Sequence, residues 1–459
     1  MESKLSKAIN KINDFLITEK FMAAVFVLAA VFILTRQIVI GTLVFIVFTA
    51  LVLIFCSDVI ATTLPFMILS CFAAKNSHAF ENFKGYWWLS LLMIAALVFH
   101  FAAFVKKEDF SFGRSFWPLL AVSVAVTLGG TGIITAPEYF SGVSVYNTIG
   151  LGFGMLFSYI LLNALIKPSD KYVFSERFTN IMVITAVFAC FMIVHHYIIN
   201  IASFIDKPQI LQFQWRNNIS TMLMITMPFV FKKATKRTSY IFFAFFIILC
   251  LLLAGSRGGM LFGLIEFVIC CITVLAVDRK HTKRYLAIYL TALACVVIAT
   301  PALLVFVRVT LERFISFDQN EIRIGLFSRA IEDFRANPMF GRGLGYMGNR
   351  DIHKSAEFAL CWYHSSPFQV IGSFGVMGIF AYIFIFVNRV YIFIKTRKNF
   401  FSITLFLSYI GLELMSLVNP GIFIPVPYLF IVTMMFVIMD KIKLQSDIDE
   451  YREMKKIKN

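Results

Sequence analysis

The chain alternates long apolar blocks with short charged connections, and the blocks are apolar on every face. Residues 38–56 and 285–306, for example, contain no charged residue. A transmembrane β-strand would instead alternate apolar and polar side chains. Because about 20 apolar helical residues cross the hydrocarbon core of a bilayer, the pattern predicts an all-α, polytopic membrane protein with about 12–14 transmembrane helices.

The charged connections set the limits of the spans. They place them at 21–36, 38–55, 58–74, 86–105, 117–135, 148–166, 178–204, 219–231, 239–254, 258–277, 285–307, 366–388, 401–418 and 422–440. Several of these blocks are short, so a neighbouring pair could form one span. The first block lacks a small-residue cleavage pattern after it, which favours a membrane span over a cleaved signal peptide.

Positive charge is concentrated in every second connection. The chain has 42 Lys and Arg against 26 Asp and Glu, a net charge of +16, and only 15% charged residues, which excludes an ordinary soluble globule. Lys and Arg clusters mark cytoplasmic loops, so the net charge needs no nucleic-acid partner. The pattern predicts cytoplasmic termini and a multi-pass protein of the cytoplasmic membrane. Its parts are a single membrane domain (1–459), a long extracytoplasmic loop (308–365) and a basic cytoplasmic tail (441–459).

The long loop contains one predicted helix and a glycine-rich segment. Apolar residues recur there at helical spacing, at Ile324, Phe327, Ile331 and Phe334. Such an amphipathic helix lies on a membrane surface or covers a cavity. It is followed by alternating glycines at 341, 343 and 345, which favour a turn over a phosphate-binding loop because the lysine of a P-loop is missing.

Two arginines stand in outer connections that are otherwise poor in positive charge. Arg216 follows Trp215 just before a span, where an arginine is most often a membrane anchor. Arg257 lies between glycines in a five-residue connection, too short to leave the membrane edge. An arginine there is costly unless it faces a polar cavity or an anionic ligand, and its planar guanidinium suits a phosphate or diphosphate.

Histidine supplies the other candidate chemistry. His364, beside Ser365 at the return of the long loop, can exchange a proton near neutral pH, although an interfacial histidine in an aromatic belt is the plainer interpretation. His195 and His196 lie within a span and are more typical of a packed pair than of a metal site. Glu266 and Glu413 indicate internal hydrogen bonds or a polar cavity. All eight cysteines but one lie in apolar blocks, so neither a disulfide framework nor a cysteine zinc site is expected.

Taken in order, these motifs resemble the O-antigen ligase and O-antigen polymerase family of bacterial envelope glycan assembly. The resemblance runs from residue 215 to about residue 383. Its carriers are Arg216 before a span ending in Met227-Pro228, Ser256-Arg257-Gly258, Asn337-Pro338 with the three glycines, and His364 followed by Phe368-Gln369, Gly375 and Gly378. The family often has asparagine after the histidine, where this chain has Ser365.

The resemblance implies a glycosyltransferase without metal or other cofactor, acting at the outer face of the cytoplasmic membrane. Its donor would be a polyprenyl-diphosphate-linked glycan and its acceptor a glycan, lipid or protein, with envelope assembly proteins as further partners. The implied roles are diphosphate binding by Arg216 and Arg257, catalysis by His364, and support from Ser365, Gln369 and Arg342. Polymerisation and ligation stay open, and inversion is the expected outcome. The alternatives are a transporter or flippase of lipid-linked oligosaccharide, which would show internal repeats, and a membrane scaffold without a cavity.

Overall fold

The computed structural model describes residues 4–75, 84–129, 134, 142–167, 173–201, 211, 213–315, 318–343, 363–418, 428 and 430–442. Within these ranges the chain is helical and contains no strand, which confirms the predicted all-α fold. Residues 344–362 of the long loop, including Gly345 and Cys361, lie outside the described residues, as does the tail after residue 442.

The helices are numbered here in chain order. They are α1 (Lys4–Leu16), α2 (Glu19–Leu34), α3 (Ile38–Phe55), α4 (Thr63–Lys75), α5 (Trp88–Phe104), α6 (Phe116–Gly129), α7 (Gly142–Leu165), α8 (Phe174–Ile199), α9 (Phe213–Ala234), α10 (Tyr240–Ala254), α11 (Arg257–Val277), α12 (Thr282–Ile315), α13 (Asp318–Ala336), α14 (Ser366–Thr396), α15 (Phe400–Ser416) and α16 (430–442). Short 3-10 helices cover Val59–Thr62, Lys84–Tyr86, Lys107–Asp109 and Arg279–His281.

Several of these helices are long and apolar enough to cross a membrane. In the described part of the chain five qualify, namely Ile38–Phe55, Phe174–Ile199, Arg257–Val277, Arg279–Pro301 and Ser366–Thr396, and the bent pair α1 and α2 would add a sixth. Shorter apolar helices include α5, α6, α10 and α15. The chain is thus a polytopic membrane protein, as predicted. The count of 12 to 14 spans stays a prediction.

Contacts divide the chain into two compact units. Unit 1 comprises Met1–Asp109, Ala164–Leu311 and Leu444–Asn459, and unit 2 comprises Phe110–Asn163 and Glu312–Lys443. The expectation of a single membrane domain stays a prediction.

Helix α9 is the centre of unit 1. Every side chain from Ile219 to Phe231 is buried, and α9 contacts α4, α8, α10 and α11. Helix α12 shows the opposite pattern, because apolar side chains such as Leu290 and Ile298 are largely exposed. An outward apolar surface of this kind suits contact with lipid tails. Helix α9 is therefore packed against other helices of the protein, whereas the exposed apolar side chains of α12 suit contact with lipid.

Helix α14 is the longest element of unit 2 described without interruption, but it is broken at Gly375, whose φ of 59° and ψ of −148° are not helical. It contacts α6, α13 and α15. The approach of α6 is close, because a Cβ on Gly129 would lie 2.6 Å from the carbonyl oxygen of Ser373.

Unit 2 contains a buried ion pair between α14 and α16. The charge pattern predicts the end of the span at residue 388, with Arg389 in an inner connection. Instead, α14 continues to Thr396 and Arg389 is 1% exposed. Its Nη2 lies 3.6 Å from Asp440 Oδ1, and the Tyr159 hydroxyl donates to Asp440 Oδ2 at 2.7 Å. The helix can continue because the buried guanidinium meets a carboxylate, without which its desolvation would be costly.

Candidate functional site

Arg216 and Arg257 lie at the same end of unit 1. Arg216 is in the first turn of α9, and Arg257 is the first residue of α11. The neighbours of the two arginines are bonded to each other, since the Ser256 hydroxyl donates to Asn217 Oδ1 at 2.8 Å. Both arginine side chains are half-buried. One hydrogen bond therefore joins the starts of the two helices that carry the predicted diphosphate-binding residues.

The connection before α11 owes its sequence to local structure at three of its five positions. Gly255 ends α10 in the left-handed region with φ 67°. Ser256 caps α11, because its Oγ accepts from the Gly259 amide at 3.2 Å. A Cβ on Gly259 would lie 2.5 Å from Ser220 Cβ, so α11 approaches α9 closely there. None of these roles needs the guanidinium of Arg257, which stands at the positive end of the α11 dipole, where an anion is favoured.

His364 has a strained backbone in unit 2. Its φ is 54°, and among the described non-glycine residues only Arg36 shares a positive φ. Such strain, about 1–3 kcal/mol, persists only where the surroundings fix the residue. Ser365 follows it as the N-cap of α14, is 3% exposed and makes no side-chain cap bond. The support of the imidazole by Ser365 stays a prediction.

The residue before the histidine is held at both ends. The Tyr363 amide donates to Gln369 Oε1 at 3.1 Å, and the Tyr363 hydroxyl donates to Asp333 Oδ2 at 2.5 Å. Gln369 is itself fixed, because its Nε2 donates to Ser373 Oγ at 2.7 Å. The Tyr363 ring lies against Gly372, where a Cβ would be 2.8 Å from its Cζ. The strained histidine thus follows a residue that is held by hydrogen bonds at both its amide and its hydroxyl.

Asp333 joins the loop helix α13 to this network. It is 4% exposed, and its Oδ1 lies 3.6 Å from Arg342 Nε. Burial raises the pKa of Asp333, while the Tyr363 hydroxyl and the Arg342 and Arg329 charges act in the opposite direction. Two of the predicted support residues, Gln369 and Arg342, are therefore in the network that fixes Tyr363.

The glycine-rich segment is a turn that fills the break in α14. The amides of Gly341, Arg342 and Gly343 donate to the carbonyls of Asn337, Gly372 and Ser373, and those of Val376 and Met377 donate to Pro338 and Met339. These amides are occupied, so they cannot cradle a phosphate, and the turn interpretation is confirmed for the described glycines. A Cβ on Gly341 would lie 2.4 Å from the carbonyl carbon of Ser373, which explains the glycine there.

The predicted loop helix exists, but a different face of it is buried. Leu326, Ala330 and Asp333 face the protein, whereas Ile324 is 65% exposed and Ile331 39% exposed. Two residues of the apolar stripe recognised from spacing are thus exposed, whereas Phe327 stacks on Phe368 with the ring centroids 4.1 Å apart. The sequence analysis did not identify Asp333 and Tyr363 as site residues. The sequence signal that could have identified Asp333 is its position seven residues after Leu326, which places its carboxylate on the same helix face as Leu326 and Ala330.

The membrane carboxyls differ in their partners. Glu413 Oε2 accepts from the Tyr382 hydroxyl at 2.7 Å, which confirms the expected internal hydrogen bond. Glu266 is 1% exposed, and neither of its carboxyl oxygens has a hydrogen-bond partner among the described residues. His196 is packed against Trp215, with ring centroids 5.1 Å apart, in agreement with the packed interpretation.

Comparison with known proteins gives one family. Residues 242–383 match the family model described as O-antigen ligase. No curated protein and no solved structure gives a significant match to the chain. The matched residues include Arg257, α13, the glycine segment and His364, whereas Arg216 precedes them. Residues 242–383 are therefore similar to the O-antigen ligase family, which confirms the family resemblance predicted from the motifs.

Proposed function

We propose that this membrane protein transfers glycan from a polyprenyl-diphosphate carrier at the outer face of the cytoplasmic membrane. The O-antigen ligase domain supports a polymerase- or ligase-type glycosyltransferase at the level of the family. The observation that carries the finer proposal is the Ser256–Asn217 hydrogen bond, which joins the helix starts that carry Arg216 and Arg257 at one end of unit 1.

The two arginines suit the leaving group of this reaction. In the donor, the anomeric carbon is bonded to a phosphate oxygen of the diphosphate. When that bond breaks, the electron pair stays with the phosphate oxygen and its negative charge grows. Fixed guanidinium groups stabilise such charge more in the transition state than in the ground state, because they need no reorganisation. Arg216 and Arg257 would thus lower the barrier to departure of the polyprenyl diphosphate.

His364 would act on the other reactant. As the acceptor hydroxyl oxygen bonds to the anomeric carbon, its proton must leave, and a neutral imidazole accepts it. Attack opposite the leaving group inverts the anomeric configuration. The bond between Tyr363 and Asp333 and the positive φ of His364 fix the backbone that presents the imidazole. Preorganisation of this kind avoids a loss of rate from misplacement.

The test is the product formed by the purified protein in nanodiscs supplied with a polyprenyl-diphosphate oligosaccharide and EDTA. A longer lipid-linked glycan identifies a polymerase, and transfer only to an added acceptor identifies a ligase. Removal of His364 in the variant H364A should lower turnover by about 10²–10⁴-fold if it is the base. The variant H281A is the matched control, because His281 pairs with Asp278 at the far end of α11. Movement of the intact donor across vesicles, without any new glycosidic bond, would identify a transporter and overturn the proposal.

A further inference from the structure

A cluster of hydrogen-bond donors and cations surrounds Trp215 in unit 1. Lys75, the last residue of α4, places its Nζ 4.9 Å from the centroid of the Trp215 ring. The ring of His196, near the end of α8, meets the indole edge to face. Trp215 itself is 3% exposed. The indole is therefore held by both a cation and an imidazole, and it immediately precedes Arg216.

The charges of this cluster are all of one sign. Burial and the nearby Arg36 charge both lower the pKa of Lys75, and no described carboxylate opposes them. Neither Lys75 nor Arg36 forms an ion pair with a carboxylate of the described chain. Placing like charges together costs free energy that an anionic ligand would offset.

Unsatisfied polar atoms point to the same kind of ligand. Trp215 Nε1, His195 Nδ1 and His196 Nε2 are buried and have no hydrogen-bond partner in the part of the chain that the structure describes. An indole N–H can only donate a hydrogen bond, and leaving it buried without an acceptor destabilises the protein. A ligand with several acceptor oxygens and negative charge, such as a phosphate group, would meet both requirements.

The cluster is continuous with the arginine pair. From Lys75 the contacts run to Trp215, the next residue is Arg216, and Asn217 is bonded to Ser256 beside Arg257. A diphosphate esterified at both ends carries about two negative charges, and the departing polyprenyl diphosphate gains a further one, because the free phosphate end has a second pKa near 6. Two arginines balance the two negative charges of the donor, so a third cation would balance the additional charge of the departing group.

We propose that Lys75 is this third cation, and that Trp215 Nε1 donates a hydrogen bond to the same diphosphate, with Arg36 adding positive potential. The inference rests on the proposed function and deepens it. Lys75 contacts the phosphate oxygen that receives the electron pair of the broken glycosidic bond, while the acceptor proton goes to His364. Because that charge appears only as the bond breaks, Lys75 acts on kcat more than on KM.

A structural alternative exists for Lys75. A lysine at a helix C-terminus interacts favourably with the helix dipole, and its contact with Trp215 is a cation–π interaction. Either role would stabilise the fold without touching the reaction. The variant K75M separates the possibilities, because methionine keeps an unbranched side chain over the indole and removes only the charge. K75R restores the charge, and K236M, which removes a lysine paired with Glu176 at the other end of α9, is the matched control.

Two measurements on the full-length protein in nanodiscs test the inference. The first is the affinity for polyprenyl diphosphate, polyprenyl monophosphate and phosphatidylglycerol. K75M should lose about tenfold in affinity for the diphosphate, and much less for the other two, while K75R and K236M bind as the wild type does. The second is turnover, where K75M should lose about tenfold to a hundredfold in kcat with little change in KM.

Each contrary outcome has a distinct meaning. Unchanged diphosphate affinity in K75M refutes the inference, and an equal loss for phosphatidylglycerol would make Lys75 a lipid headgroup anchor instead. A lower unfolding temperature with unchanged kcat would assign it a structural role only. If the wild type binds polyprenyl diphosphate in a Lys75-dependent manner but forms no glycosidic bond, the proposed transferase function fails while the binding site stands.

Discussion

The hydrogen bond between Tyr363 and Asp333 offers the sharpest test of how unit 2 holds His364. In the variant Y363F the ring still lies against Gly372, and only the hydroxyl that donates to Asp333 Oδ2 at 2.5 Å is lost. Tyr363 is 1% exposed and Asp333 4% exposed, so water cannot readily replace the bond. The perturbation therefore isolates one buried hydrogen bond next to the predicted base.

Its magnitude follows from the burial and charge of the acceptor. Hydrogen bonds to charged groups contribute about 1.5–3 kcal/mol, so Y363F should lower the free energy of unfolding by about 2 kcal/mol. The hydroxyl also lowers the pKa of Asp333, and its loss leaves that pKa higher still. The penalty is therefore full at a pH above the raised pKa of the variant. The penalty shrinks as pH falls through that value, because Asp333 of the folded variant then becomes protonated and the lost hydrogen bond to the carboxylate matters less.

A double-mutant cycle with D333A measures the bond directly. Unfolding in mixed micelles should give a coupling free energy of about 1.5–3 kcal/mol between the two positions. Turnover should fall in Y363F, because the backbone of His364 loses its anchor. The variant Y285F is the matched control, since the Tyr285 hydroxyl donates to Asp278 in unit 1 at 2.6 Å. A coupling near zero, or an equal loss of turnover in Y285F, would refute the reasoning.

Three further substitutions test the fold around the proposed site. G375A places a side chain on a residue with φ 59° and should destabilise the protein by about 2 kcal/mol or more in thermal unfolding, whereas G85A, which meets no atom within 4 Å, should have little effect. D440N leaves the buried Arg389 guanidinium without its carboxylate and should cost about 3–5 kcal/mol in a denaturant titration, unless R389M is added. S256A removes both the α11 cap and the hydrogen bond to Asn217 and should cost about 1–2 kcal/mol, with S256G milder because glycine is tolerated at an N-cap; equal costs would argue against capping.

The sequence predicted those parts of the structure that repeat along the chain. Apolar blocks identified the helices, and the loop helix was found from spacing, but its apolar residues Ile324 and Ile331 are exposed in the described structure. Spacing reports which residues are apolar, and in a membrane protein an apolar face can meet lipid as well as protein. The spacing of apolar residues therefore predicted the helices more reliably than it predicted which faces of those helices contact other parts of the protein.

The contacts that define the site join distant residues and leave no periodic signal. Tyr363 and Asp333 are 30 positions apart, and Lys75 is far from Trp215 in the chain. The turn at Gly341 was predicted from its glycines, but its partner, the break of α14 at Gly375, could not be, because both are explained only by the carbonyl groups that they approach. Such pairs depend on the three-dimensional fold.

The central claim is that Arg257 stabilises the departing diphosphate, and the rate of glycan transfer in a single turnover tests it most directly. With saturating polyprenyl-diphosphate oligosaccharide and EDTA present, R257A should be slower than the wild type by about 10²–10³-fold. R257K should recover part of the rate, because it restores the charge without the planar fork. The variant R279A, which removes an exposed arginine beyond the other end of α11, should react normally. A wild-type rate in folded, membrane-inserted R257A would contradict the account.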